Sequence, residues 1–293
     1  MATMWYAHFV AAGWGFGIVR TNDTRSARAR FEQLAELASK VAGLALSPYF
    51  ASTYDELTAA IEDQAIGLAW LPPVIAINLE DMRVASTLAI PSRNGAISYH
   101  AALVVRRGGP KALSELKGRR AAWVQPDSAA GYLIPRMHLA GQGLDVANFF
   151  ARETFMSSHR RVIDSVSNGE ADVGATYCNV DPITQRITRS SWIDEHGNTI
   201  RPIEVLALMG PIPNDSLVAA SELPAAARSA LTRWLLSPDD RGRELFQELM
   251  DTSEFRVPAP DHYHALRHAL RAARARGHAA LPAESRMRIR VGK

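Results

Sequence analysis

Apolar runs of strand length alternate with stretches of helical period along almost the whole chain of 293 residues. That alternation predicts an α/β protein with largely parallel sheets. Phe16–Val19 is expected as a first strand, and Ser26–Val41 as a helix carrying Phe31, Leu34, Leu37, Ala38 and Val41 on one face. A second strand, Leu44–Phe50, runs into Ala-Ser-Thr-Tyr-Asp-Glu-Leu, where Ser52 or Thr53 can cap a helix whose early Asp55 and Glu56 suit its positive end. Ala65–Trp70 predicts a third strand stopped at Pro72-Pro73, and Val84–Ile90 a fourth.

The turn signal Pro91-Ser-Arg-Asn-Gly95 precedes a long strand, Ile97–Val105, which Arg106-Arg-Gly-Gly-Pro110 breaks. A second alternating unit follows: a helix over 111–117, strand 120–124, a helix opened by Gln125-Pro-Asp-Ser-Ala-Ala-Gly-Tyr132, strand Glu153–Met156, helix His159–Ser167 and strand Asp172–Thr176. Thr188–Thr199 is polar and rich in turn residues, and apolar sequence resumes over Ile203–Met209. Pro211-Ile-Pro213, a strand Ser216–Ala220 and helices beginning near Leu223 and Asp239 complete the pattern. The runs near 97–105 and 203–209 have the character of two crossings between bodies. On that reading residues 1–95 plus 208–293 form a discontinuous lobe one and residues 96–207 form lobe two, with a ligand between them.

Composition agrees with this picture, at 47% hydrophobic and 22% charged residues. The net charge of +3 conceals an asymmetry, because residues 264–293 carry seven arginines and a lysine against Glu284 alone, leaving −4 for the rest. A basic tail can meet an acidic partner or be a solvated terminal helix. No aromatic residue interleaves its charges after Tyr263, so nucleic acid is not expected as a partner. Cys178 stands alone, which excludes an internal disulfide. No run reaches the ~18 apolar residues of a membrane span. Met1–Gly13 lacks a basic segment before its short apolar stretch, so it does not read as an export signal. The expected location is cytoplasmic as written, or periplasmic where a leader has been removed.

Two places could carry chemistry. At Ser128 a strand gives way to a helix start, where unpaired amides and a partial positive charge favour anions. The small Ala129, Ala130 and Gly131 would let an oxyanion approach; the competing reading is that Asp127 or Ser128 only caps its own helix. Phe155-Met-Ser-Ser-His159 repeats the arrangement on the next strand, with Arg160 and Arg161 beside His159. Helix starts on successive strands open on one sheet edge and can converge on one tetrahedral anion. His262, His264 and His268 do not share a helix face, so no metal or other cofactor is expected. Cys178 lacks a clear base and is expected as a buried structural thiol. No catalytic centre is legible.

Gly118-Arg-Arg-Ala-Ala-Trp-Val-Gln-Pro-Asp-Ser-Ala-Ala-Gly-Tyr-Leu-Ile-Pro135, Ser157-Ser-His159 and Val166-Ser-Asn-Gly-Glu-Ala-Asp-Val-Gly-Ala-Thr-Tyr177 together resemble the phosphate/phosphite/phosphonate-binding proteins of ABC transporters. Phe50-Ala-Ser-Thr-Tyr54, Gly67-Leu-Ala-Trp70, Ser98-Tyr-His-Ala-Ala-Leu-Val-Val105 and Pro211-Ile-Pro-Asn-Asp-Ser-Leu-Val218 extend the likeness over roughly residues 15–250. The resemblance implies a two-lobed type II periplasmic-binding-protein fold, each lobe a mixed sheet flanked by helices, with two hinge crossings. It implies hydroxyl donors at Tyr54 and Tyr99, an anion cradle at Ser128 with the amides of Ala129 and Ala130, His159 at the second helix start, and Asp215 near the ligand's other end. It also implies an ABC transporter permease or a signalling partner.

The sequence departs from the family at two places. The family's helix start reads Ser-Thr-Ser-Gly-Tyr, and Ala129 and Ala130 here remove hydroxyl donors. Binders of aminoalkyl phosphonates carry a glutamate where Asn179 stands, and a neutral amide would not pair with an ammonium. The expected ligand is therefore phosphate, phosphite or a simple phosphonate. The same fold also serves menaquinone-biosynthesis enzymes and ligand-sensing modules, so these stand as alternatives.

Overall fold

The structure is a computed structural model that describes residues 13–19, 24–93, 95–126, 128–181, 183–194 and 196–275. Residues 1–12 of the segment read for an export signal, Asp127 and the basic residues from Arg276 onward lie outside these. The elements begin with β1 (Trp14–Val19), α1 (Arg25–Ala42), β2 (Leu46–Ala51), α2 (Tyr54–Glu62), β3 (Ile66–Leu71), α3 (Pro73–Asp81) and β4 (Ala85–Pro91). They continue with β5 (Ser98–Arg106), β6 (Arg120–Trp123), α4 (Ile134–Gly141), β7 (Arg152–Phe155), α5 (His159–Asn168), β8 (Val173–Val180), β9 (Ile187–Ser190) and β10 (Ile203–Pro213). Last come β11 (Ser216–Ala220), α6 (Ala225–Leu236), α7 (Asp240–Met250), β12 (Phe255–Arg256) and α8 (His264–Ala275).

The described residues divide into two compact units, one of residues 13–97 and Asp215–Pro260, the other of Ser98–Asn214 and residues 261–275. Residues 261–275 thus group with the second unit, whereas the sequence pattern kept everything from 208 with the first. Tyr263, Leu266 and Leu270 of this segment are buried.

In the first unit the described strands form one sheet in the order β12-β4-β11-β3-β1-β2. β1 runs parallel to β2 and β3, and β11 runs antiparallel to β3 and β4. Strand β11 is buried at every residue, as suits a central strand that is apolar after Ser216. Helix α1 starts where the Thr24 hydroxyl accepts the Ala27 amide and ends at Gly43 in the left-handed region, φ 68°. Its Phe31, Leu34, Ala35 and Ala38 pack into a core with Phe16, Leu68, Leu217, Leu231 and Phe246. Each buried Leu or Phe of such a core contributes about 1.5–3 kcal/mol relative to exposure.

The second sheet runs β10-β5-β8-β6-β7, with β9 paired to β8. β6 is parallel to both β7 and β8, while β5 is antiparallel to β8 and β10. Gly174 of β8 is required by the helix lying on it. A Cβ there would come within 2.6 Å of Val162 and 2.9 Å of Val166, both on α5. The missing side chain lets α5 seat against the sheet.

Three local expectations differ from what is found. Pro73 opens a helix, α3, because the first helical position needs no amide hydrogen and proline's φ suits it. Only a short 3₁₀ turn, Leu113–Leu116, forms where a helix over 111–117 was expected, confined between Pro110 and the left-handed Gly118. The turn-rich stretch after 187 contributes a short strand, β9, paired antiparallel to the C-terminal end of β8.

Candidate functional site

The parallel strands β6 and β7 end side by side, roughly 4.8 Å apart as neighbouring strands are, and each leads into a helix start. Their alignment continues past the strand ends, because the Met156 amide donates to the Trp123 carbonyl at 2.8 Å and the Ser157 amide to the Val124 carbonyl at 2.9 Å. Ser157 sits in the left-handed region at φ 65°, an uncommon conformation for a residue with a side chain. Such backbone settings cluster where a site needs a particular aim. Here it turns the chain directly into the Ser158 cap of α5, whose hydroxyl accepts the Arg161 amide at 3.3 Å.

At the first junction Ser128 caps a wide five-residue π turn, Ala129–Leu133, that runs straight into α4. Its hydroxyl accepts the Gly131 amide at 3.1 Å, so the capping reading holds. That bond uses an acceptor lone pair and leaves the hydroxyl hydrogen for another partner. Ala129 and Ala130 are buried, and their amides occupy first-turn positions with no acceptor inside the helix.

His159 is the first residue of α5 and its Nδ1 lies 3.0 Å from Oγ1 of the fully buried Thr176 on β8. That contact occupies Nδ1 and leaves Nε2 as the ring's other polar atom. The His159 ring meets Tyr177 edge-on at 4.9 Å, and Tyr177 meets Tyr99 edge-on at 6.5 Å. The second unit thus joins His159, Thr176, Tyr177 and Tyr99 in one continuous array. Asn179 follows Tyr177 on the same face of β8, roughly 7 Å further along, and faces Arg189 of β9.

The remaining two residues belong to the first unit. Tyr54 opens α2 behind the Thr53 cap, which accepts the Glu56 amide. Asp215 stands at the start of β11, hydrogen-bonded by the Trp70 side chain and near the Arg93 guanidinium. Arg93 is itself anchored on the carbonyls of Met250 and Asp251 at the end of α7. Sequence reasoning missed Thr176, Tyr177, Ser157, Trp70 and Arg93 as parts of these arrangements. The Ala-Thr-Tyr string at the end of β8 was the available signal for the first two.

Burial lowers His159 to a pKa of about 4, so the ring is neutral at pH 7. Burial raises Asp215 to about 6 against the opposing pull of Arg93 and Trp70. Burial also pushes the Cys178 thiol up to about 12, which makes it an inert core thiol in agreement with the sequence expectation. The two site groups act on stability with opposite signs. The unfolded chain protonates His159 near 6.5 and the folded one only near 4, so its contribution of at most about 3 kcal/mol is present above 6.5 and lost as pH falls through 4. Asp215 binds its proton more tightly when folded, so its contribution is present at low pH and lost as pH rises through about 6. His159→Asn keeps an amide where Nδ1 meets Thr176 and removes the titration. Urea unfolding of the variant should lose less stability than the parent between pH 6.5 and 4, and parallel curves would show that His159 titrates normally.

Among the described residues no group of three His, Cys, Asp or Glu side chains is placed to hold a metal ion, and no helix is long and apolar enough to cross a membrane.

Two mixed sheets flanked by helices, with paired helix starts at one strand edge, define the periplasmic-binding-protein fold. XAC2383 from Xanthomonas citri, solved bound to ATP, matches with a TM-score of 0.72 at 20% identity, over 90% of this chain and 98% of that one. A binding protein component of an ABC phosphonate transporter from Pseudomonas aeruginosa matches with a TM-score of 0.69 at 19% identity, over 91% and 88%. PhnD1 from Prochlorococcus marinus, solved with methylphosphonate, matches with a TM-score of 0.66 at 14% identity, over 89% and 98%. Comparison with curated proteins gave no match. Residues 16–263 match the family described as ABC transporter, phosphonate, periplasmic substrate-binding protein, and the chain belongs to that family.

Proposed function

We propose that this protein is a non-enzymatic solute-binding protein that holds a small phosphorus oxyanion, namely phosphate, phosphite or a simple phosphonate, for ABC-type uptake or sensing. The observation that carries the reading is the pair of adjacent helix starts in the second unit. Amides of Ala129 and Ala130 with the Ser128 hydroxyl stand at one, and the neutral His159 ring held by Thr176 stands at the other. Helix starts bind oxyanions through free amides and the helix dipole, without a net positive side chain. Family membership supports the same ligand class and a transporter permease as partner. Tyr54 and Asp215 enter the proposal through the family resemblance alone.

Two substitutions narrow the ligand. Ala129 and Ala130 cannot donate hydroxyls, and each lost donor to a ligand oxygen costs on the order of 1–3 kcal/mol. Asn179 offers no charge to an ammonium. An aminoalkyl phosphonate is thereby disfavoured.

A ligand that binds only the folded state raises stability by about 2.7 kcal/mol at a hundred times its Kd. Thermal melting should therefore be followed with phosphate, phosphite, methylphosphonate, 2-aminoethylphosphonate, sulfate and, because XAC2383 was solved with it, ATP. At least one of the first three should raise the melting temperature more than sulfate does, and methylphosphonate should act more strongly than 2-aminoethylphosphonate. A panel with no shift would overturn the reading. A shift with ATP alone would replace the small oxyanion by a phosphate ester.

A further inference from the structure

A single carboxylate ties together the elements on which both helix starts depend. Glu153 lies on β7, six residues before His159, and its Oε2 accepts the indole Nε1 of Trp123 at 2.7 Å. Trp123 is fully buried at the end of β6, five residues before Ser128. The same Oε2 accepts Nη1 of Arg136, whose side chain is only 5% exposed on α4, beyond the π turn. The Arg136 guanidinium carbon lies 5.4 Å from the centre of the Tyr132 ring. Tyr132 in turn meets Trp123 at 5.6 Å and Phe155 at 5.1 Å, both edge-on.

The strand entering the first junction, the helix leaving it and the strand entering the second are therefore joined at one oxygen. With Arg136 buried and the Glu153 side chain 29% exposed, the ion pair is half-buried, and such a pair is a poor way to gain stability, since apolar replacements of similar shape are often neutral or better. Arg136 also leaves its Nε buried without a hydrogen bond, which adds to the cost. Its charge is answered by Glu153, so it is not poised as a ligand for an outside anion. Geometry is what the cluster supplies.

We propose that Glu153, with Arg136 and Trp123, is a positioning group that sets the spacing between the Ser128 turn and His159 and so tunes oxyanion affinity. This rests on the reading that those two junctions hold the ligand. The informative variant is Arg136→Met/Glu153→Gln, which removes the ion pair while the glutamine amide oxygen still accepts the Trp123 indole. Its melting temperature should stay within a few degrees of the parent, while its Kd for methylphosphonate, measured calorimetrically, should weaken at least tenfold. A Kd within twofold of the parent would overturn the proposal. Where the double variant does not fold, Arg136→Lys serves instead, with a threefold or larger loss supporting the proposal and an unchanged Kd overturning it.

A parent that binds none of the panel discards the functional reading, and the coupling is then read on the protein alone. In the variant that folds, nuclear magnetic resonance signals of the Ala129 and Ala130 amides and of the His159 ring should all move. Either junction remaining unmoved would overturn the inference.

Discussion

Ser128→Asp is expected to abolish binding of every phosphorus oxyanion while leaving the fold in place. Aspartate is as good a helix cap as serine, so the bond from the Gly131 amide survives. What changes is the charge at the mouth of the cradle. Two like charges about 4 Å apart interact by about 4 kcal/mol near a protein surface, which corresponds to roughly a thousandfold in affinity. Ser128→Asn caps equally well without the charge and provides the control. The parent's stabilising ligand should give no melting shift with Ser128→Asp and a reduced one with Ser128→Asn. Equal shifts for Ser128→Asp and the parent would remove Ser128 from the site, whatever the ligand proves to be.

The alternation of strand and helix patterns was enough to predict the α/β class, and most strands lie within a few residues of where the apolar runs put them. The reason is burial: β3 and β11 are central strands, so their sequences are apolar but for Ser216 and stand out from their surroundings. Short elements were harder to read. β9 is a polar edge strand that depends on pairing with β8, and nothing in its own composition separates it from a turn. α3 was hidden by a proline pair that signals a stop in one context and a helix start in another.

The candidate site was legible where it rests on local signals and illegible where it rests on tertiary ones. The helix starts at Ser128 and His159 stand where a small-residue stretch and a histidine after two serines predict them along the chain. The hydrogen bond between His159 and Thr176 and the Tyr99, Tyr177 array could not be read in this way, because they join residues seventeen or more positions apart through the order of the sheet. The low pKa of His159 has the same origin, since it comes from how α5 seats on β8. Ser157 shows the limit most clearly. Its left-handed backbone aims the second junction, yet a serine carries no sequence signal for that conformation.

Gly131→Ala is expected to damage stability and binding together, through a single added carbon. A Cβ at Gly131 would fall 2.3 Å from Val124 Cγ2, 2.5 Å from Val124 Cβ and 2.7 Å from the Ser128 hydroxyl. None of these distances is tolerable, and Val124 is itself buried and holds the Gly131 carbonyl through its amide at 3.2 Å. The turn must therefore lift off the end of β6, which carries the Ala129 and Ala130 amides away from His159. Overpacking of this kind costs about 1–3 kcal/mol, or a few degrees of melting temperature for each kcal/mol in a protein of this size. Affinity for the parent's ligand should fall more than the stability loss alone would produce, because the displaced atoms are the proposed ligand contacts. Adding Val124→Ala should recover only part of either effect, since it removes the closest atom and leaves the contact with Cβ. A Gly131→Ala protein with the parent's affinity would show that the first helix start can move without consequence, and the anion would then have to be held elsewhere.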